Sequence, residues 1–149
     1  MKLSKNDDIK LNIDSLTSEG SGIGRFDGFA VFVRGVVPGD EVVAHIIKCS
    51  KNYAIGVVKD IIKPSKFRIE SDCPVSSKCG GCSFRNVSYD EELRYKKGRV
   101  QDALERIGKL DIEVEEIIGA DKCSHYRNKA QFPVGMDKNG RLIAGFYAG

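Results

Sequence analysis

Apolar and polar positions alternate along the first sixty residues. Ile9, Leu11 and Ile13 are separated by polar residues, the period-two pattern of a strand with one face buried. Glu19 to Gly24 (EGSGIG) reads as a glycine-rich turn, and Arg25-Phe26-Asp27-Gly28 as a tight hairpin turn on Asp-Gly. Phe29 to Val33 is a second β-rich run, and Val36-Val37-Pro38-Gly39-Asp40 places Pro and Gly where a turn favours them. Glu41 to Lys48 and Tyr53 to Ile62 form a long antiparallel pair across the polar loop Ser50-Lys51-Asn52. Five short strands with glycines at the bends predict a closed OB-like barrel over residues 1–63.

Beyond the barrel the pattern changes. Residues 64–87 carry few periodic apolar positions and read as a connector with a cysteine segment. Ser88 and Glu91 have the spacing of a capping box, so a helix is predicted from Ser88 to about Ile107. Its buried stripe would be Leu93, Val100, Leu104 and Ile107, with Gly98 costing about 1 kcal/mol relative to Ala and Gly108 as the stop. Ile112 to Ile118 is read as a short strand. Tyr126 to Met136 and Arg141 to Tyr147 are read as two more, joined at Asp137-Lys138-Asn139-Gly140. The predicted fold is therefore mainly β with one or two helices (α+β): the barrel, the 64–87 segment, and a helix plus hairpin over residues 88–149. A hairpin ending at Gly149, with Phe146 and Tyr147 lacking a partner layer, leads us to expect an incomplete final domain and further chain.

Composition narrows the class. The 149 residues are 41% hydrophobic and 30% charged, with a net charge of +3. No apolar run approaches the roughly 20 residues that cross a bilayer, and Met1 to Lys10 lacks the apolar centre of a secretory signal. A cytoplasmic location with no membrane partner is the expectation, and no obligate protein partner is evident. The charge is uneven: Lys122, Arg127, Lys129, Lys138 and Arg141 follow the acidic stretch Asp111 to Asp121 and face only one acid, Asp137, so the tail suits phosphate.

Five cysteines in a reducing compartment argue against disulfides. Cys73, Cys79 and Cys82 have the spacing C-x5-C-G-G-C. A C-x2-C pair can wrap one metal centre, Gly80-Gly81 allows a tight turn around it, and free N–H groups can bond the sulfurs. Zinc sites usually come as two C-x2-C knuckles, whereas iron–sulfur sites often use an asymmetric triplet plus a distant fourth cysteine. A [4Fe–4S]-type site on Cys73, Cys79 and Cys82 is preferred to zinc. The fourth ligand is either a residue beyond Gly149 or Cys123; Cys49, at the end of a β-run, reads as a small buried hydrophobe.

These features together resemble the amino-terminal part of bacterial RNA uracil-5-methyltransferases of the 23S rRNA type, related to the tRNA enzyme. Gly20-Ser21-Gly22-Ile23-Gly24, Phe32-Val33 and Gly35-Val36-Val37-Pro38-Gly39-Asp40 look like a TRAM domain. Cys73, Cys79, Gly80, Gly81 and Cys82 match that family's cluster motif, and Tyr126-Arg127-Asn128-Lys129-Ala130-Gln131 looks like the start of its central RNA-binding domain. The resemblance implies a [4Fe–4S] cluster, RNA as partner (23S rRNA first, tRNA second), and methyl transfer from S-adenosylmethionine to uracil C5. It also implies that the catalytic cysteine, the methyl-donor site and the fourth cluster cysteine lie further along a complete enzyme. No catalytic residue and no S-adenosylmethionine-binding residue is therefore expected in these 149. A stand-alone TRAM-type RNA-binding module with a structural metal and no catalysis is the alternative. A ferredoxin-like electron carrier is a third reading, which would need a fourth nearby cysteine.

OB-like barrels bind single-stranded nucleic acid through basic grooves and aromatic platforms. Arg25, Arg34, Lys48 and Lys51 supply charge, and Phe26, Phe32 and Tyr53 are candidate stacking faces, with Phe32 read as barrel core. Arg127, Lys129 and Gln131 alternate along the predicted strand and would share a face, the better RNA candidate. Arg94, Lys97 and Arg99 read as a solvated helix face, and His45 and His125 as ordinary histidines.

Overall fold

The computed structural model describes residues 3–76 and 78–147 and separates them into two compact units. The first is Met1–Asp72 with Ser83–Glu91, and the second is Cys73–Cys82 with Glu92–Gly149. Residues 64–72 and 83–87, which flank the cysteine segment, fall in the first unit.

Six strands make the first unit: β1 (Asp8–Asn12), β2 (Ser15–Leu16), β3 (Gly22–Phe26), β4 (Phe29–Arg34), β5 (Glu41–Cys49) and β6 (Tyr53–Lys63). They lie in the order β1-β5-β6-β4-β3-β2, with β4 and β6 parallel and every other pairing antiparallel. Residues 8–16 close this sheet into a barrel. Their first half pairs with β5 and their second half with β3, and Asp14 N–H donates to Ile23 O at 2.8 Å. Closure brings the backbones so near that a Cβ at Gly24 would sit 2.3 Å from Asn12 O, so only glycine fits there. The expected OB-like topology is present. The sixth strand is the two-residue β2, split from β1 where the segment changes partners, and too short to leave a period in the sequence.

The period-two pattern has the predicted effect. Ile9, Leu11, Ile13, Val31, Val33, Val36, Val42, Ala44, Ile46 and Ala54 fill the barrel, each 5% exposed or less. Asp27 and Gly28, both with positive φ, turn β3 into β4, and Pro38-Gly39 turns the chain back so that Asp40 N–H reaches Val37 O at 3.0 Å. The expected glycine-rich turn at 19–24 is shorter, because Gly22–Phe26 is already strand.

The second unit holds most of α1 (Tyr89–Asp102), a π-helical turn (Ala103–Ile107) and the hairpin β7 (Val134–Met136) and β8 (Leu142–Ala144). The helix ends with Lys109 in the left-handed region (φ 53°) and Leu110 N–H on Leu104 O; Gly108 stays right-handed at φ −70°. Three expectations fail here. The helix stripe is buried only in part: Leu93 and Leu104 are half-buried, whereas Val100 is 53% and Ile107 83% exposed. Residues 112–118 form no strand; Gln101 instead bonds Ile112 O and Val114 N–H, and Lys97 bonds Glu115 O. The two long strands reduce to three exposed residues each, and residues 126–133 are not strand. Period alone says which face could be covered, and in this unit the described residues cover it only in part. Among the described residues no helix is long and apolar enough to cross a membrane.

Candidate nucleic-acid interface and cysteine segment

Because Val31, Val33, Ala54 and Ala44 point into the barrel, their neighbours on each strand point out. Register then assembles an outer face in rows. Ile23, Phe32, Ile55 and Lys48 lie side by side across β3, β4, β6 and β5; Arg25, Ala30 and Tyr53 form the next row; Arg34, Val57 and His45 a third. Phe32 is therefore an outward, half-buried residue and not core, as its alternation with Val31 and Val33 requires. It meets Tyr53 edge to face, centroids 5.6 Å apart and planes at 77°. Phe26 does the opposite, packing against the core opposite Phe29. Lys51 stands exposed in the loop two residues before Tyr53, and Arg25 reaches back to Gly28 O. Aromatic and aliphatic side chains at the centre are thus rimmed by Arg25, Arg34, Lys48 and Lys51.

One carboxylate sits at the border of this face. Asp8, opposite His45, takes the Lys59 ammonium, and His45 Nδ1 lies 2.7 Å from its other oxygen. These hydrogen bonds, Lys59 first and His45 second, hold the Asp8 carboxyl below its usual range. Asp8 is thus occupied by Lys59 and His45.

The anchor of the unit is a residue that sequence reading placed only in a turn. Asp40 is fully buried and accepts from Val37 N–H (2.7 Å), Ser65 N–H (2.8 Å), Arg68 Nε (3.1 Å) and Arg68 Nη2 (2.5 Å). Burial pushes its pKa up, but the Arg68, Ser65 and Val37 hydrogen bonds outweigh it and leave the carboxyl below the ordinary value. Arg68 also donates to Gly35 O, so it ties the chain after β6 to the barrel. An acid after Pro-Gly reads as a solvated turn residue, and nothing in the spacing to Arg68 signals the pair.

The cysteine segment is a succession of turns. Ser76 N–H bonds Cys73 O and Cys79 N–H bonds Val75 O, while Gly80 N–H reaches Tyr147 O at 2.9 Å. Gly81 N–H lies 3.4 Å from Cys79 Sγ, the amide-to-sulfur contact that the Gly-Gly step suggests. A Cβ at Gly81 would lie 3.2 Å from the Phe146 ring and 3.3 Å from that sulfur, so the approach suits glycine. Cys73 and Cys79 are half-buried; Cys82 and Cys123 are exposed. Ser77 lies outside the described residues. Among the described residues no three His, Cys, Asp or Glu side chains gather at metal-ligand distance. Cys49 is exposed, with its thiol 3.5 Å from Leu3 O, and not the buried residue expected, because β5 runs on past the core at its end.

Arg127, Lys129 and Gln131 are exposed, and without a strand there their alternation no longer implies a common face. Arg127 lies over its neighbour Tyr126, 5.8 Å from the ring centroid, with Nη2 3.4 Å from the hydroxyl.

Residues 6–59 match the family model of the TRAM domain, which spans β1 through most of β6. Nearly the whole chain is similar to proteins named RNA methyltransferases. An uncharacterized RNA methyltransferase of Listeria monocytogenes is 47% identical over 145 residues, 97% of this chain and 32% of its own length. Another from Clostridium tetani is 45% identical over 144 residues, again 97% of this chain and 31% of its own. The chain thus spans about a third of the length of the curated relatives it matches. Among solved structures, the Pyrococcus abyssi tRNA (uracil-54, C5)-methyltransferase bound to S-adenosyl-L-homocysteine aligns with 70% of this chain and 22% of its own. The identity is 23% and the TM-score 0.42, too low to bear on function.

Proposed function

We propose that this chain is the amino-terminal, RNA-binding portion of an S-adenosylmethionine-dependent RNA methyltransferase acting on uracil C5, with 23S rRNA as its substrate and tRNA as the runner-up. The observation that carries the reading is the similarity of 97% of this chain to about a third of the length of proteins named RNA methyltransferases. The barrel supplies the physical part. Unpaired bases stack on aromatic faces and phosphates seek cations, and the outer face offers Tyr53 and Phe32 between Arg25, Arg34, Lys48 and Lys51. Catalytic roles are assigned to none of these residues. Cys73, Cys79 and Cys82 would hold a [4Fe–4S] cluster, with Cys123 or a residue outside the chain as fourth ligand. The donor set of thiols, one bonded by an amide, suits such a group, which would order this segment.

RNA binding by the barrel is tested in salt titrations with a single-stranded RNA. Tyr53→Ala is expected to weaken binding by about 1–3 kcal/mol, the worth of one stacked base. Removing Arg25, Arg34 and Lys48 together is expected to flatten the log–log salt slope by about 2, at roughly 0.7 per phosphate contact. An unchanged affinity and slope would remove this face from the reading. Iron, sulfide and zinc analysis after anaerobic purification tests the cluster, and stoichiometric zinc without sulfide would sink it. Methyl transfer to uracil by the full-length protein tests the enzyme, and RNA binding without any transfer would favour the stand-alone module.

A further inference from the structure

Residues on both sides of the cysteine segment are joined to each other within the barrel unit. Ile69 N–H bonds Asn86 O at 3.0 Å, Ser88 N–H bonds Phe67 O at 2.8 Å, and Arg68 bridges Val87 between them. Arg85 pairs with Asp72, so the neck is drawn together one residue before Cys73 and three after Cys82. The ladder is fixed to the barrel through Arg68 on buried Asp40 and through Val87, itself 5% exposed. The residues that precede and follow segment 73–82 in the chain are therefore held together within the barrel unit.

One further contact reaches closer to the thiols. Gly20, in the loop between β2 and β3, has φ +81°, and a Cβ there would lie 2.7 Å from both Ser83 Cβ and Ser83 O. A backbone atom is among those met, so rotating a side chain away cannot relieve the crowding. Ser83 is covalently next to Cys82. A Cβ at residue 20 would thus push directly on the residue that sets where Cys82 begins.

We infer that Gly20 is a positioning residue for the cysteine segment: it lets the barrel's first loop seat Ser83 and so fixes the backbone from which Cys82 projects. The role of the thiols as metal ligands belongs to the function proposed above, but the seating of Cys82 can be read without any metal. The consequence is a link between two parts of the chain with separate tasks. The loop of residues 17–21 borders strand β3 of the outer face, and its far side holds the neck of the thiol segment.

The molecule contains its own control. Gly28 has nearly the same backbone, φ +80°, with nothing within 4 Å of an added Cβ, so Gly28→Ala carries the backbone strain without the contact. Gly20→Ala and Gly28→Ala are compared in the full-length protein. The first readout is the rate of Cys82 alkylation by iodoacetamide in the metal-free chain, resolved by peptide mass spectrometry. The second is the rate of iron loss to a chelator in the purified holoprotein. We expect Gly20→Ala to change Cys82 alkylation severalfold and speed iron loss severalfold, with Gly28→Ala at wild-type rates in both. Ser83→Val crowds the same contact from the other side without altering residue 20, and should shift Cys82 alkylation too, which covers the case of a Gly20 variant that does not fold. Equal Cys82 rates in wild type, Gly20→Ala and Ser83→Val, or equal changes in the two glycine variants, would overturn the inference. A wild-type protein without iron, whose Cys82 rates still separate Gly20→Ala from Gly28→Ala, would overturn the cluster and leave the positioning role standing.

Discussion

At position 40 a carboxylate with no exposure accepts hydrogen bonds from two backbone amides and a guanidinium. Its folded pKa lies below the ordinary carboxylate value of about 3.9, despite the upward push of burial. A depressed folded pKa stabilises the fold at pH values above that ordinary value, and the contribution is lost as pH falls through the folded one. The barrel should therefore lose melting temperature steeply below about pH 4. Asp40→Asn leaves Arg68, 16% exposed, without its counter-charge. Losing one partner of a buried pair costs about 3–5 kcal/mol, so the variant should melt well below wild type at pH 7. Its acid limb should be flatter in calorimetry across pH 3–7, and an identical limb would show that another carboxylate carries it. Sequence had no means of finding this residue, because its partners come from 25 and 28 positions away. Phe32 was legible in principle: with Val31 and Val33 assigned inward, alternation sends it out, and only its apolar character argued otherwise.

Strands and helix differ in how far their patterns carry. From β3 through β4 to the start of β6 inward residues meet inward residues across the ladders, so alternation, turn chemistry and register agree. The β5–β6 ladder, by contrast, shifts register at three places. The hairpin of β7 and β8 has good turn chemistry, with Asp137 Oδ1 accepting from Asn139 and Arg141 N–H, but its strands stop after three residues. A turn signal fixes where the chain reverses; strand length depends on a partner layer. The helix was legible at both ends, since it stops at Ile107 with Gly108 as its cap; only the left-handed conformation falls on Lys109 instead. Gly98 gives the test at this scale. It lies inside α1 with nothing within 4 Å of an added Cβ. Gly98→Ala should stabilise the helix by about 0.5–1 kcal/mol, seen as higher ellipticity at 222 nm, whereas no gain would mean that an unseen neighbour occupies the space.

Across the molecule, burial is concentrated in one unit. The core residues on β1, β4, β5 and β6 are at or near zero exposure, whereas Ile107, Ile118, Tyr126, Met136, Leu142 and Tyr147 are each more than 60% exposed. The composition average hides this division, because hydrophobic residues are present in both halves of the chain and only their enclosure differs. Local stability follows enclosure: amides under many buried apolar contacts open only on global unfolding, and those in open segments exchange from small fluctuations. Hydrogen exchange on the chain of 149 residues should therefore find its slowest amides on Val31, Val33, Val42, Ala44 and Ile46. The ladder at Ile69 and Ser88 should be slow as well, since it shares the barrel unit through Arg68 and Val87. Amides from 109 to 133, which make few backbone hydrogen bonds among the described residues, should exchange orders of magnitude faster. Equal protection in the two regions would mean that the chain opens as one cooperative body. In that case the neck of the cysteine segment would owe its order to the whole molecule, and not to the barrel that holds it through Asp40 and Gly20.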